Sequence, residues 1–152
     1  MQNKRRALRL VIFWVLAIGW IAVLFFFSGQ TAAESSALSG SLADLVRGIF
    51  PFNRIPPDQL EHVLRKLAHF GFFGLEGLLL GLAAMQSVRR LRAGALLSAL
   101  ACGILAGANE LHQRFFEGRS CEVGDMLIDF GGALLGIAAA ALLLWIIRRR
   151  KG

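Results

Sequence analysis

The chain has no tyrosine, only two cysteines, and ten acidic residues against 17 basic ones. Cys102 lies within an apolar run and Cys121 in a polar loop, so a disulfide framework does not organise the fold. There is no H-x-x-x-H or H-E-x-x-H spacing, no serine beside a histidine in a nucleophile-elbow context, and no P-loop or dinucleotide fingerprint. A zincin, a serine hydrolase and a nucleotide-binding domain are thereby disfavoured. The sequence points to no cofactor. Acidic residues are wholly missing from three segments, and that absence carries orientation.

What the chain has in excess is apolar sequence: 56% of its 152 residues are hydrophobic, too much for a soluble domain of this size. The pattern predicts an all-α membrane protein of one domain, 1–152, built as a four-helix transmembrane bundle with spans at about 8–27, 66–86, 92–112 and 126–147. The second and third apolar runs are short. They gain length on one side, the second from a helix that starts at Asp58 behind Pro56 and Pro57, the third by continuing toward Phe116. The first run is too long, and too rich in Trp and Phe, for the apolar region of a cleaved signal; an uncleaved anchor is expected.

Lys4, Arg5, Arg6 and Arg9 precede the first span, Arg89, Arg90 and Arg92 separate the second from the third, and Arg148, Arg149, Arg150 and Lys151 follow the fourth. These are eleven of the 17 basic residues, with no acid among them. The positive-inside rule then places both termini in the cytoplasm and the two other loops outside, with Ser36, Asn53 and Cys121 reachable there. Such dispersed clusters are orientation signals, and they argue against nucleic acid as a partner of this +7 chain. In the first outer loop, Leu38, Leu42, Leu45, Val46, Ile49 and Phe50 recur at helical spacing. That stretch is expected to be an interfacial helix, or a helix packed on the end of the bundle.

The densest polar stretch is Asn109 to Gly132, NELHQRFFEGRSCEVGDMLIDFGG, set between two apolar runs. A charge carried toward hydrocarbon costs about 2.5–3.5 kcal/mol on insertion scales unless it is paired, so this concentration marks a candidate site. In the last span Asp125, Asp129, Gly132 and Gly136 follow one stripe, which points the carboxylates into the bundle. Glu110 has Gln113 and Arg114 as local candidates, and Glu117-Gly118-Arg119 is expected to turn tightly. Glycine pairs four apart, Gly77/Gly81, Gly103/Gly107 and Gly132/Gly136, predict close packing of three spans. Glu76 falls about 12 Å into its span at 1.5 Å per residue, which requires a partner, a water-filled cavity or a protonated state.

Together, Phe27-Ser28-Gly29-Gln30, Arg65-Lys66-Leu67-Ala68-His69-Phe70, Asn109-Glu110-Leu111-His112-Gln113, Gly118-Arg119 and Asp125-x-x-x-Asp129-x-x-Gly132 resemble the VanZ-like membrane proteins. The resemblance runs from about Phe27 to Gly136. It implies a small bacterial multi-span protein related to one that raises resistance to the lipoglycopeptide teicoplanin. Two positions depart from the family pattern: Asn109 stands where an aspartate is frequent, and Phe73 where a tyrosine is.

The residues then suggest a recess at the extracytoplasmic ends of the helices. His69, Glu110, Asp125 and Asp129 are the candidate catalytic groups, able to move a proton or polarise a bond. Arg119, Lys66, Gln113, Gln30 and Glu76 are the candidate ligand-binding groups, with Arg119 and Lys66 suited to a phosphate or carboxylate. No metal site is expected, since Glu110 and His112 point to different helix faces. Two function classes follow. The protein binds or modifies a membrane lipid or lipid-linked cell-wall intermediate at the outer leaflet, or it is a non-catalytic membrane component whose polar cluster is structural. Nothing in the sequence specifies an oligomeric state.

Overall fold

The computed structural model describes residues 2–50, 55–88 and 90–150, in which every regular element is a helix. Asn53, Arg89 and Lys151, three residues on which orientation was argued, lie outside them, as do the side chains of Arg5 and Arg6. The elements are α1 (Gln2–Ser28), α2 (Ala32–Ile49), α3 (Pro57–Ser87), α4 (Leu91–Gln113) and α5 (Val123–Arg149). All but α2 are long and apolar enough to cross a membrane.

Local chemistry sets the ends. Thr31 caps α2 through a capping box in which its side chain accepts from the Glu34 N–H and the Glu34 carboxylate accepts from the Thr31 N–H at 2.8 Å. Those bonds hold the Glu34 carboxyl below the usual carboxylate range. Pro57 opens α3 at a position where the missing N–H costs nothing, with Asp58 in the first turn. Helix α4 stops at Gln113, short of Phe116. The chain leaves it through a turn in which Gly118 takes φ +73°, as Glu117-Gly118-Arg119 suggests. At the far end of α5, Arg148 and Arg149 sit in the last turn, favourable for the helix dipole, and the Arg149 guanidinium lies 4.1 Å from the Trp145 ring.

The bundle is organised on a seam between α3 and α5, which run in the same direction. A Cβ on Gly77 would strike the Ala133 backbone, one on Gly132 the Phe70 carbonyl, and one on Gly136 the Gly74 carbonyl, so only glycine permits this approach. The expected glycine pairs of α3 and α5 therefore do pack closely. That of α4 does not: Gly103 and Gly107 meet side chains of Phe130 and Met126 at ordinary distances of 3.5 and 3.6 Å. Helix α4 is brought close by Gly94 instead, where a Cβ would lie 2.5 Å from Met85 Cα. Ser98 reinforces that contact by donating to the Gly94 and Leu80 carbonyls at 2.8 and 3.3 Å.

Helix α1 is held differently. Trp20 donates to the Phe72 carbonyl at 2.9 Å and stacks on the Phe72 ring, while Trp14 donates to Ser87 Oγ at 3.1 Å. Helix α2 lays Ser39 and Ala43 on the polar end of α3, with Ser39 donating to Glu61 at 3.2 Å. Leu38, Leu45, Ile49 and Phe50 stay exposed. The helix thus combines both expectations, packed on the bundle by its small residues and presenting an apolar face outward.

Candidate functional site

The α3–α5 seam sets the site's geometry, because the register that interleaves the glycines also places Lys66 and His69 of α3 beside Asp125 and Asp129 of α5. Lys66 Nζ is 2.9 Å from Asp125 Oδ1, and His69 Nδ1 is 3.3 Å from Asp129 Oδ1. From α4, Asn109 donates its amide to Asp129 Oδ2 at 3.4 Å. At the first departure, Asn109 suits this geometry, since an amide donates to a carboxylate where an ionised aspartate could not. Phe73, at the other departure, is buried in the core.

Glu110 is buried next to Asp129 and accepts from the Glu122 N–H at 3.1 Å, across the α4–α5 connection. Gln113 and Arg114 do not serve as its partners. Arg114 is exposed, and Gln113 accepts from Arg119 at 2.6 Å. The half-buried Arg119 guanidinium has its pKa drawn below the usual value, chiefly by burial and also by the nearby Arg65, against opposing pulls from Glu110 and Asp125. Its charge survives, since arginine starts so high. On the other flank Arg65 bridges Glu61 at 2.6 Å and Ser36 at 2.8 Å, tying α2 to α3.

Of the sequence-derived candidates, His69, Glu110, Asp125, Asp129, Lys66, Gln113 and Arg119 converge at one end of the bundle. Gln30 lines an apolar cavity beside them, on a wall that also includes His69 and Arg119. Glu76 does not reach the group at all. It is fully buried in the bundle core, its two carboxylate oxygens have no hydrogen-bond partner among the described residues, and its expected cations are engaged elsewhere. Cys102 lies close enough to interact with it electrostatically.

His112 turns the other way. Its Nδ1 is 3.2 Å from Ser28 Oγ, its ring packs against Phe25 and Phe116, and Ser28 also donates to the Asn109 carbonyl at 3.4 Å. Ser28 thereby fastens the end of α1 to the helix that carries Glu110. The Ala32 N–H donates to the Glu117 carbonyl at 3.0 Å and joins the α1–α2 and α4–α5 connections. Asn109, Arg65, Ser28 and His112 are the residues that sequence reasoning left out of the site, although each stands inside a motif that it singled out.

Two cavities meet here. The smaller, about 130 Å³, is walled by charged and polar groups including Lys66, Arg119, Glu122 and Asp125. The larger, about 320 Å³, is apolar, running between α1, α2 and α3 along Leu24, Phe27, Leu38, Leu42, Leu64 and Phe72. Arg65, His69 and Arg119 line both.

These features define a class: a helical, multi-pass membrane protein with a polar recess at one end of a glycine-packed bundle. The chain matches the VanZ/LLP1 family over residues 13–146, nearly its whole length, and belongs to that family. No match is found among curated proteins or among solved structures.

Proposed function

We propose that the chain binds an amphiphile with an anionic headgroup, a membrane lipid or lipid-linked cell-wall intermediate, at the outer leaflet of a bacterial membrane. The observation that carries this reading is the shared wall. Arg65, His69 and Arg119 line both the apolar cavity of about 320 Å³ and the polar one, which sets an apolar and a charged compartment side by side for the chain and the phosphate or carboxylate of one molecule. The larger volume falls within the range of about 300–1,000 Å³ typical of small-molecule sites. Arg119 would grip the headgroup with its planar fork and Lys66 as a point charge. His69, Asp125, Glu110 and Asp129 then stand ready to exchange a proton with it.

The orientation belongs to this proposal. With Lys4, Arg9, Arg90, Arg92 and Arg148–Arg150 in the cytoplasm, the recess and α2 come to the extracytoplasmic face, and the exposed apolar face of α2 lies against the leaflet. An impermeant maleimide should label cysteine introduced at Ser36 in intact cells; labelling only after lysis would invert the topology. A link to teicoplanin resistance follows if the ligand is an envelope component, and growth in teicoplanin against vancomycin after expression reads it.

Mutual pairing favours a second reading. Lys66 with Asp125, Arg119 with Gln113 and Glu110 with the Glu122 N–H also make a structural cap. Mass spectrometry of lipids extracted from the purified protein separates the two. The binding reading expects one enriched phosphate- or carboxylate-bearing species that falls at least tenfold in Arg119→Lys, with protein abundance unchanged. A cap expects bulk lipid in both proteins, and that result would overturn the proposal.

A further inference from the structure

His69 from α3, Glu110 from α4 and Asp129 from α5 each offer a ligand atom, and those atoms lie within 4.8 Å of one another. An ion bound at about 2.0–2.2 Å from each in tetrahedral geometry would hold ligand atoms about 3.3–3.6 Å apart. Closing the widest pair takes up to about 1.5 Å of movement, shared between two side chains.

The supporting bonds are arranged for such a role. Asp129 receives the Asn109 amide on Oδ2 at 3.4 Å and turns Oδ1 toward His69. Glu110 receives the Glu122 N–H on Oε2 at 3.1 Å, and its Oε1 is buried without a hydrogen-bond partner. Each carboxylate therefore has one oxygen held by a positioning donor, while the other meets His69 in Asp129 and is buried without a partner in Glu110, a division of labour like that around metal ligands. Glu110 is 1% exposed and Asp129 fully buried, so both are removed from water. Of the cations nearby, Lys66 is bonded to Asp125, and Arg119, although within electrostatic reach of Glu110, donates its hydrogen bond to Gln113. Two buried carboxylates beside one imidazole are short of positive charge, and a divalent cation supplies it.

We infer that His69, Glu110 and Asp129 form a binding site for one divalent transition-metal ion of the Zn²⁺ or Mn²⁺ type. One imidazole nitrogen and two carboxylate oxygens suit those ions, whereas Mg²⁺ is served by all-oxygen sets and the softest ions by thiolates. Among the described residues three offer ligands, which leaves coordination positions open on the side of His69, where that residue lines the polar cavity. The inference draws on residues that the proposed function also uses, with an ion in place of proton exchange, and its test contains no amphiphile, so the two readings fail separately.

The purified full chain, stripped with a chelator and carrying Cys121→Ser to remove an exposed thiol, is titrated with Zn²⁺ by calorimetry. Mn²⁺ is titrated in parallel, followed by loss of the free-ion magnetic resonance signal. One ion per chain is expected. Glu110→Gln and Asp129→Asn should each weaken binding more than about 100-fold, and Asn109→Ala, which disturbs only a positioning donor, about 10–100-fold. Glu76→Gln, a buried carboxyl outside the cluster, should bind as the parent does. Should Asp129→Asn fail to give monodisperse protein, His69→Gln replaces it, with the same expected loss. An absence of binding to the parent chain, or equal binding in Glu110→Gln and in His69→Gln or Asp129→Asn, would overturn the site.

Discussion

The α3–α5 seam and helix α1 solve the same problem by opposite means. The seam is the tightest contact in the bundle, made by glycines whose missing side chains let two backbones touch, with charged groups at its head. Helix α1 is the most apolar of the spans and the least buried. It is fastened by the polar hydrogen bonds of Trp14, Trp20 and Ser28. In lipid, apolar surface gives no drive for one helix to seek another, so hydrophobicity takes a segment into the membrane and leaves its place there undecided. Close approach and polar bonds decide it, and in this chain the close approach also positions the candidate site.

The comparison breaks most readily at the seam. Gly136→Val would drive a side chain into the Gly74 carbonyl and the Leu78 N–H, and should destabilise the bundle by about 3 kcal/mol. Thermal unfolding in detergent checks this, and the ion affinity of the His69, Glu110 and Asp129 cluster should fall with it. Lower in the same core, Glu76→Lys should cost a similar amount, about 3 kcal/mol, because it buries an ammonium with no partner. Glu76→Gln keeps the shape and breaks no hydrogen bond, and should unfold within about 1 kcal/mol of the parent. A Lys variant as stable as the parent would show that the position reaches water.

On α1 the effects should be smaller. Ser28→Ala removes the tie to His112 and the Asn109 carbonyl, and should cost about 0.6–1.7 kcal/mol while raising hydrogen exchange at the end of α1. Smallest is Gly19→Ala, where a Cβ meets nothing within 4 Å. It should be neutral or stabilising by a few tenths of a kcal/mol, in contrast with Gly77, Gly132 and Gly136.

Much of this contrast was legible in the sequence, and the remainder was hidden for a definite reason. Apolar length disclosed the four spans, the Asp125–Asp129–Gly132–Gly136 stripe disclosed which face of α5 turns inward, and Gly118 disclosed the turn. Those signals are periodic along one helix. What stayed hidden depends on the register between helices: that Lys66 takes Asp125 and leaves Glu76 unpaired, that Asn109 donates to Asp129, and that α4 approaches through Gly94 while Gly103 and Gly107 meet only side chains. His69, Glu110 and Asp129 were assigned to one recess, but the approach of their ligand atoms to within 4.8 Å was not legible, since ligand spacing within one helix says nothing of groups from three helices.

The central claim, that the recess and the apolar cavity hold one amphiphile, is tested most directly by photocrosslinking from within. A photoreactive residue at Leu24, which is 6% exposed and lines the apolar cavity, should capture predominantly one phosphate- or carboxylate-bearing species in membranes. The same residue at Leu135, on the exposed face of α5, should capture the bulk lipid mixture. Loss of the selective adduct in Arg119→Lys would tie headgroup and chain to a single site. The same lipid mixture at both positions, unchanged by Arg119→Lys, would contradict the account.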